Sequence, residues 1–183
     1  GASLTVQDVT GGGSIIENET RYKTDATEGT SLRCFQVRAN ATLTLEGGTL
    51  ENTNTASEAS SVINNYGTVN INGGTVKGVS CISNFAPVLG GVQGWDGQKA
   101  VCNITDGQIL GTECKSYIDK GEYKTVNQGE GWSWGVALFG PGFGASGTDE
   151  VSYDEVTLTM DGGTIRAGQG ICTNASSGRY AGN

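Results

Sequence analysis

The sequence predicts an all-β chain: a right-handed single-stranded parallel β-helix, or β-solenoid, of about five three-strand rungs with long loop insertions. Three observations lead there. One phrase recurs four times, apolar and polar residues alternate within it, and a short apolar segment follows each copy. The copies are Leu43-Thr44-Leu45-Glu46-Gly47-Gly48-Thr49-Leu50, Val69-Asn70-Ile71-Asn72-Gly73-Gly74-Thr75-Val76, Cys102-Asn103-Ile104-Thr105-Asp106-Gly107-Gln108-Ile109 and Leu158-Thr159-Met160-Asp161-Gly162-Gly163-Thr164-Ile165.

Each copy predicts a strand, a tight corner and a second strand. Its first and third residues are apolar and the residue between them is Thr or Asn, which turns one face of a strand inward and the other to water. Two corner positions follow. The first is Gly47, Gly73, Asp106 or Gly162. Asp tolerates positive φ, so this position is expected to be left-handed. The second is Gly in every copy, which points to crowding as well as dihedral demand. The row Thr44, Asn70, Asn103, Thr159 would face outward and hydrogen-bond from rung to rung. It mixes Thr with Asn on irregular rungs, which disfavours an ice-templating ladder.

A third strand is expected at Val62-Ile63-Asn64-Asn65, Cys81-Ile82-Ser83-Asn84, the segment 134–139, and Ile171-Cys172-Thr173-Asn174. Residues 3–16 and 32–37 supply a degenerate first rung. Rungs would stack at roughly 4.8 Å around a column of Leu, Ile, Val, Met and Cys. The only helical signal is a short one over 113–124.

The chain suits a single domain, 1–183. The copies start at 43, 69, 102 and 158, so the last interval is about twice the first. A rung cannot lengthen its strands without leaving the stack, so the excess belongs to insertions at about 85–99, 112–131 and 140–155. Residues 176–183 form a tail that either covers one end of the stack or frays.

Composition narrows the function. The formal net charge is -8, which disfavours nucleic acid and anionic lipid as partners. No apolar run is long enough to span a membrane. There is no histidine, which removes His-based triads, and no CxxC pair, which removes zinc. No metal or cofactor is expected. Of the 5 cysteines, Cys34, Cys81, Cys102 and Cys172 fall on expected strands, where they read as small apolar core residues. A Cys102–Cys114 disulfide is the alternative the sequence leaves open. With no secretory leader and Met160 as its one methionine, the chain is expected to be a segment of a larger multidomain surface protein.

The insertions gather the aromatic residues. They hold Trp95, Tyr117, Tyr123 and Phe143, and Trp132 and Trp134 stand at the start of the strand that follows the second. Flat rings on Gly- and Ser-rich loops are poor core builders, although they could pin the loops down as a satellite core. They suit a sugar: pyranose C–H faces stack on Trp and Tyr while polar groups take the hydroxyls. Asp96, Gln98, Lys120, Gln128 and Glu130 are the polar candidates. The acidic run Asp149-Glu150 and Asp154-Glu155 raises a hydrolase or lyase reading. It lies in a loop instead of on a rigid strand, and Arg33, Arg38, Lys77 and Arg166 are dispersed, so catalysis is not expected.

The phrases at 43–50 and 69–76 resemble the β-helix repeats of large surface and secreted proteins of Gram-positive gut bacteria. With Trp95, Trp132 and Trp134 on insertions, the chain is also similar in character to the non-catalytic starch-adherence domains of gut amylosome complexes. These resemblances imply an extracellular, secreted or cell-surface location and a polysaccharide partner, with α-glucan favoured. They transfer no binding residue. The expectation is therefore a non-catalytic carbohydrate-binding domain. The alternatives are a structural or adhesive β-helix segment that binds a protein, and a polysaccharide lyase or glycoside hydrolase.

Overall fold

The computed structural model describes residues 1–17, 33–53, 61–80, 88–91, 100–113, 116–119, 122–125, 134–139, 156–167 and 169–174. All regular structure among them is β, and they contain no helix. The chain runs in repeated circuits. The first comprises β1 (Ser3–Val6), β2 (Ser14–Glu17) and β3 (Phe35–Val37). The second comprises β4 (Thr42–Leu45), β5 (Thr49–Asn52) and β6 (Ile63–Asn65). The third comprises β7 (Thr68–Ile71), β8 (Thr75–Ser80) and β9 (Val88–Gly91).

The fourth circuit begins with β10 (Ala100–Ile104) and β11 (Gln108–Glu113). It then inserts β12 (Ser116–Asp119) and β13 (Glu122–Thr125) before β14 (Trp134–Phe139). The fifth comprises β15 (Val156–Met160), β16 (Thr164–Arg166) and β17 (Gln169–Asn174).

Three parallel sheets result, each with 5 strands: β1-β4-β7-β10-β15, β2-β5-β8-β11-β16 and β3-β6-β9-β14-β17. Each sheet takes one strand from every circuit, in chain order. The phrase explains the registers. In the first sheet Leu4, Leu43, Val69, Cys102 and Leu158 lie in one row, and Val6, Leu45, Ile71, Ile104 and Met160 in another. In the second sheet Ile15, Leu50, Val76, Ile109 and Ile165 align. In the third, Phe35, Ile63, Val88, Val136 and Ile171 align.

These rows meet in one core. Leu43, Leu45, Val69, Ile71, Cys102 and Ile104 from the first sheet pack with Leu50, Val76 and Ile109 from the second and Val37, Ile63 and Val136 from the third. Leu45, Leu50, Ile71, Val76 and Ile109 are wholly excluded from solvent. Burial of each such side chain contributes about 1.5–3 kcal/mol.

The corner differs from expectation. Positive φ falls on the second glycine of each copy, at Gly48, Gly74, Gly107 and Gly163, and not on the first position. Asp106, at the first position, is not among the positive-φ residues, and its Oδ1 accepts the Gly107 N–H at 2.7 Å. Close approach of successive corners is the reason for glycine at the first position: a Cβ on Gly73 would stand 2.5 Å from Glu46 O. At the second position both demands combine. Gly74 has φ +75, and a Cβ there would meet Gly48 O at 2.5 Å. That carbonyl accepts the Thr75 N–H at 2.8 Å, so it cannot retreat without breaking the ladder.

Two further expectations are corrected. The third strand of the third circuit is β9, at Val88–Gly91. The segment proposed for it, Cys81-Ile82-Ser83-Asn84, lies outside the described residues, and β9 falls within the stretch assigned to the first insertion. The described residues of 113–124 contain no helix; β12 and β13 pair antiparallel, with Asp119 opposite Glu122. Two residues, Lys120 and Gly121, separate Asp119 from Glu122 in the sequence, the commonest hairpin spacing. The insertion at 140–155 and the tail at 176–183 lie outside the described residues.

The corner separates dihedral cost from crowding. Gly12 has φ +89 with nothing within 4 Å of an added Cβ. Gly12→Ala is expected to cost about 1 kcal/mol, the ordinary left-handed penalty, and Gly74→Ala more than about 3 kcal/mol. Urea denaturation of the two variants measures the difference, and equal costs would remove the close-approach argument.

Candidate functional site

The residues proposed from sequence to bind a ligand fall into two groups. Trp134, Tyr117 and Tyr123 lie on described strands. Trp95, Asp96, Gln98, Lys120, Gln128, Glu130, Trp132 and Phe143 lie outside the described residues, as does the acidic run at 149–155. Trp134 is the first residue of β14, in register with Gln169 of β17. Tyr117 is opposite Lys124 and Tyr123 opposite Ile118. Consecutive strand positions belong to opposite faces, so positions 117 and 123 fall on opposite faces of the ribbon. They are alternatives for one surface and not a pair.

The described side chains with polar function are ladders. On the outward row of the first sheet, Asn70 Nδ2 donates to Thr44 Oγ1 at 3.4 Å and Asn103 Nδ2 donates to Asn70 Oδ1 at 2.9 Å. This is the circuit-to-circuit bonding expected of that row. A parallel ladder at the corner escaped the sequence reading. There Asn72 Nδ2 donates to Glu46 Oε1 at 3.0 Å and Thr105 Oγ1 donates to Asn72 Oδ1 at 2.9 Å. Its signal was available: Glu46, Asn72 and Thr105 occupy the same fourth position of the phrase. On the second sheet, Lys77 Nζ and Glu51 Oε1 are 2.7 Å apart at directly paired positions. Their partial exposure keeps such a pair within about 1 kcal/mol.

The third sheet carries buried amides instead. Asn65 is fully buried; its Oδ1 accepts the Gly67 N–H at 2.9 Å and its Nδ2 donates to Val101 O at 2.9 Å. It ties the second circuit to the fourth, an order that strand pairing alone does not provide. A buried amide also closes β5 of the second sheet, where Asn52 Nδ2 donates to Ser61 O at 3.0 Å. Asn64 Nδ2 donates to Tyr66 Oη at 3.2 Å, while its Oδ1 is the one buried side-chain polar atom among the described residues without a partner.

Chemically reactive groups are few among the described residues. Cys102 carries a free thiol in the core, so the Cys102–Cys114 disulfide is not formed. Cys102 is enclosed by the apolar row that predicted its core role, and burial pushes its thiol up to about 12 from an ordinary 9.0. Cys34 is also free and half-buried; its Sγ donates to Glu51 O at 3.2 Å, and burial raises it. Asp8 accepts the N–H groups of Gly13 at 2.7 Å, Gly11 at 2.8 Å and Thr10 at 3.3 Å. The Gly13 bond is the chief cause that holds its carboxyl below the usual range. No group of three or more His, Cys, Asp or Glu among the described residues is arranged to hold a metal ion. No protein-family model, curated protein or solved structure matches the chain.

Two outcomes follow from these contacts. Asn65→Ala strands the buried Gly67 N–H and removes the bond to the partly buried Val101 carbonyl, and is expected to cost about 2–4 kcal/mol, whereas Asn70→Ala on the outer row costs about 1 kcal/mol. Chemical denaturation at neutral pH compares them, and comparable losses would show that burial does not set the value of these amides. The second concerns alkali. The folded chain keeps Cys102 protonated while the unfolded chain ionises it above pH 9.0, so stability present below pH 9.0 is lost as pH rises toward about 12. Between about pH 9 and about pH 10.5 wild type should lose about 2 kcal/mol more than Cys102→Val. Parallel pH profiles of the two proteins would rule out this linkage.

Proposed function

We propose that the chain is a right-handed single-stranded parallel β-helix that serves as a non-catalytic carbohydrate-binding domain, displayed outside the cell as part of a larger surface protein. Fixed cyclic order supports the fold: every circuit adds one strand to each of three sheets, in sequence. Parallel strands joined by crossovers are right-handed in about 98% of cases, which supports the hand.

One observation carries the binding role. The cycle is broken once among the described residues, by the antiparallel hairpin between β11 and β14. That hairpin holds Tyr117 and Tyr123, and the strand it leads into begins with Trp134. Elsewhere the outward phrase positions carry polar side chains without rings, and Thr44, Asn70, Asn103, Glu46, Asn72 and Thr105 brace neighbouring circuits. The departure from the repeat is where large rings are placed.

In this reading Trp95, Trp132 and Trp134 stack on pyranose rings, with Tyr117 or Tyr123 assisting. Asp96, Gln98, Lys120, Gln128 and Glu130 compete with water for the hydroxyls. Phe143 adds apolar surface. A net charge of -8 favours a neutral glycan over an acidic one, and an α-glucan such as starch is the preferred ligand. A structural or adhesive segment that binds a protein is the second reading, favoured by the rungs' internal bracing.

Each aromatic stack is worth about 1–1.5 kcal/mol, or roughly tenfold in affinity. Trp132→Ala/Trp134→Ala should therefore weaken binding to soluble starch at least tenfold in affinity electrophoresis, with an unchanged unfolding midpoint. If both proteins migrate alike, or if neither is retarded by any polysaccharide in a panel, the carbohydrate reading fails.

A further inference from the structure

The outer face of the third sheet holds an amide that its own row does not satisfy. Strand positions alternate, so with Ile63 and Asn65 turned into the body, Asn64 belongs to the outward side of β6. It is nevertheless only 6% exposed, and its Oδ1 is buried with no hydrogen-bond partner. The outward row of the first sheet shows how such an amide is ordinarily satisfied. There Asn70 donates to Thr44 and accepts from Asn103, because both neighbours in register are polar. Asn64 stands between Gln36 and Leu89. Leu89 has no side-chain donor to give, and Gln36 is exposed.

The bond that Asn64 does make points to its use. Its Nδ2 donates to Tyr66 Oη at 3.2 Å, and Tyr66 is partly exposed. A phenol that accepts in this way keeps its own O–H to donate. Side by side, the pair offers one donor and one acceptor that nothing among the described residues takes. Exchanging the two ends of the amide leaves this sum unchanged: the phenol would then donate to Oδ1, with Nδ2 as the free donor and the phenol oxygen as the free acceptor. A carboxylate only accepts and an ammonium only donates, so each answers half of the pair. A hydroxyl does both at one atom. Beside Tyr66, β9 ends in Gly91, one residue beyond the Asn65–Gly90 pair, and so puts no side chain in the way.

We propose that Asn64 and Tyr66 form a subsite for a sugar hydroxyl on the outer face of the third sheet, with a neutral glycan as the ligand. This rests on the carbohydrate reading above and adds to it a contact on the repeat itself instead of on an insertion. Tyr66 meets the hydroxyl first, and the Asn64 amide turns about χ2 to accept from it. An unpaired buried oxygen destabilises the free protein, and binding relieves it. Stability and affinity therefore pull in opposite directions at this residue.

Affinity electrophoresis of the whole chain in soluble starch and in a panel of neutral polysaccharides tests the subsite, with urea denaturation alongside. Asn64→Leu puts an apolar group of similar size in place of the amide. It should unfold at a midpoint no lower than wild type and yet bind about fivefold more weakly. Tyr66→Phe keeps the ring, removes the phenol oxygen and should also lose about fivefold. Full affinity in either variant, while Trp132→Ala/Trp134→Ala loses it, overturns the subsite and leaves the carbohydrate reading intact. Wild type that no polysaccharide retards overturns both. A lowered midpoint for Asn64→Leu would make the amide a structural support and likewise overturns the proposal.

Discussion

Each circuit must lay its backbone directly on the one before it, strands about 4.8 Å apart, so that its N–H groups meet the carbonyls of the neighbouring circuit. At the corner that requirement is tightest. Thr75 N–H reaches Gly48 O, and the space a Cβ on Gly74 would occupy is already taken by the same carbonyl. Glycine is needed there for what lies beneath it as much as for its own φ. Once the corner is held, the strands on both sides start in fixed register. The apolar positions of the phrase then fall into rows, and the rows make the core.

The side chains follow from that register. Residues at one phrase position stand over one another, so an outward Asn meets the Thr or Asn of the neighbouring circuit, and its amide can donate to one neighbour and accept from the other. Asn70 does both. Inward positions have no such freedom: there Cys102 substitutes for Leu or Val, enclosed and with its thiol held protonated. Asn65 is the exception that tests the rule. It lies inside the third sheet, is satisfied by Gly67 N–H and Val101 O, and reaches past its own neighbour to do so.

Much of the fold was legible where the phrase is written, because Gly-Gly and period-two alternation fix both the corner and the faces beside it. The first two sheets, the bracing of Thr44, Asn70 and Asn103, and the core place of Cys102 all came from it. Legibility fell in the third sheet, which has no glycine anchor. Cys81-Ile82-Ser83 and Val88-Leu89-Gly90 are equally good short apolar runs, and only the register set by Ile63 and Val136 selects Val88. The hairpin was missed because Tyr117-Ile118 and Tyr123-Lys124 are too short to show a period without the turn between them. The left-handed residue lies one position later than Asp106 suggests, because that carboxylate caps the Gly107 N–H instead of marking a left-handed backbone. Most of the proposed binding residues lie where the repeat is interrupted, and an interrupted repeat offers no register from which to position them.

The hairpin shows what such a frame permits. Chain departs after Glu113 and returns at Trp134, yet β11 pairs with β8 and β14 with β9 as though nothing stood between. Closing a longer loop costs only about 0.6 kcal/mol for each doubling of its length. The excursion can therefore lengthen, shorten or change its residues with little penalty to the body that carries it. Selection can then vary the excursion far faster than the body that carries it, and descendants of one scaffold can diverge there while keeping a common stability.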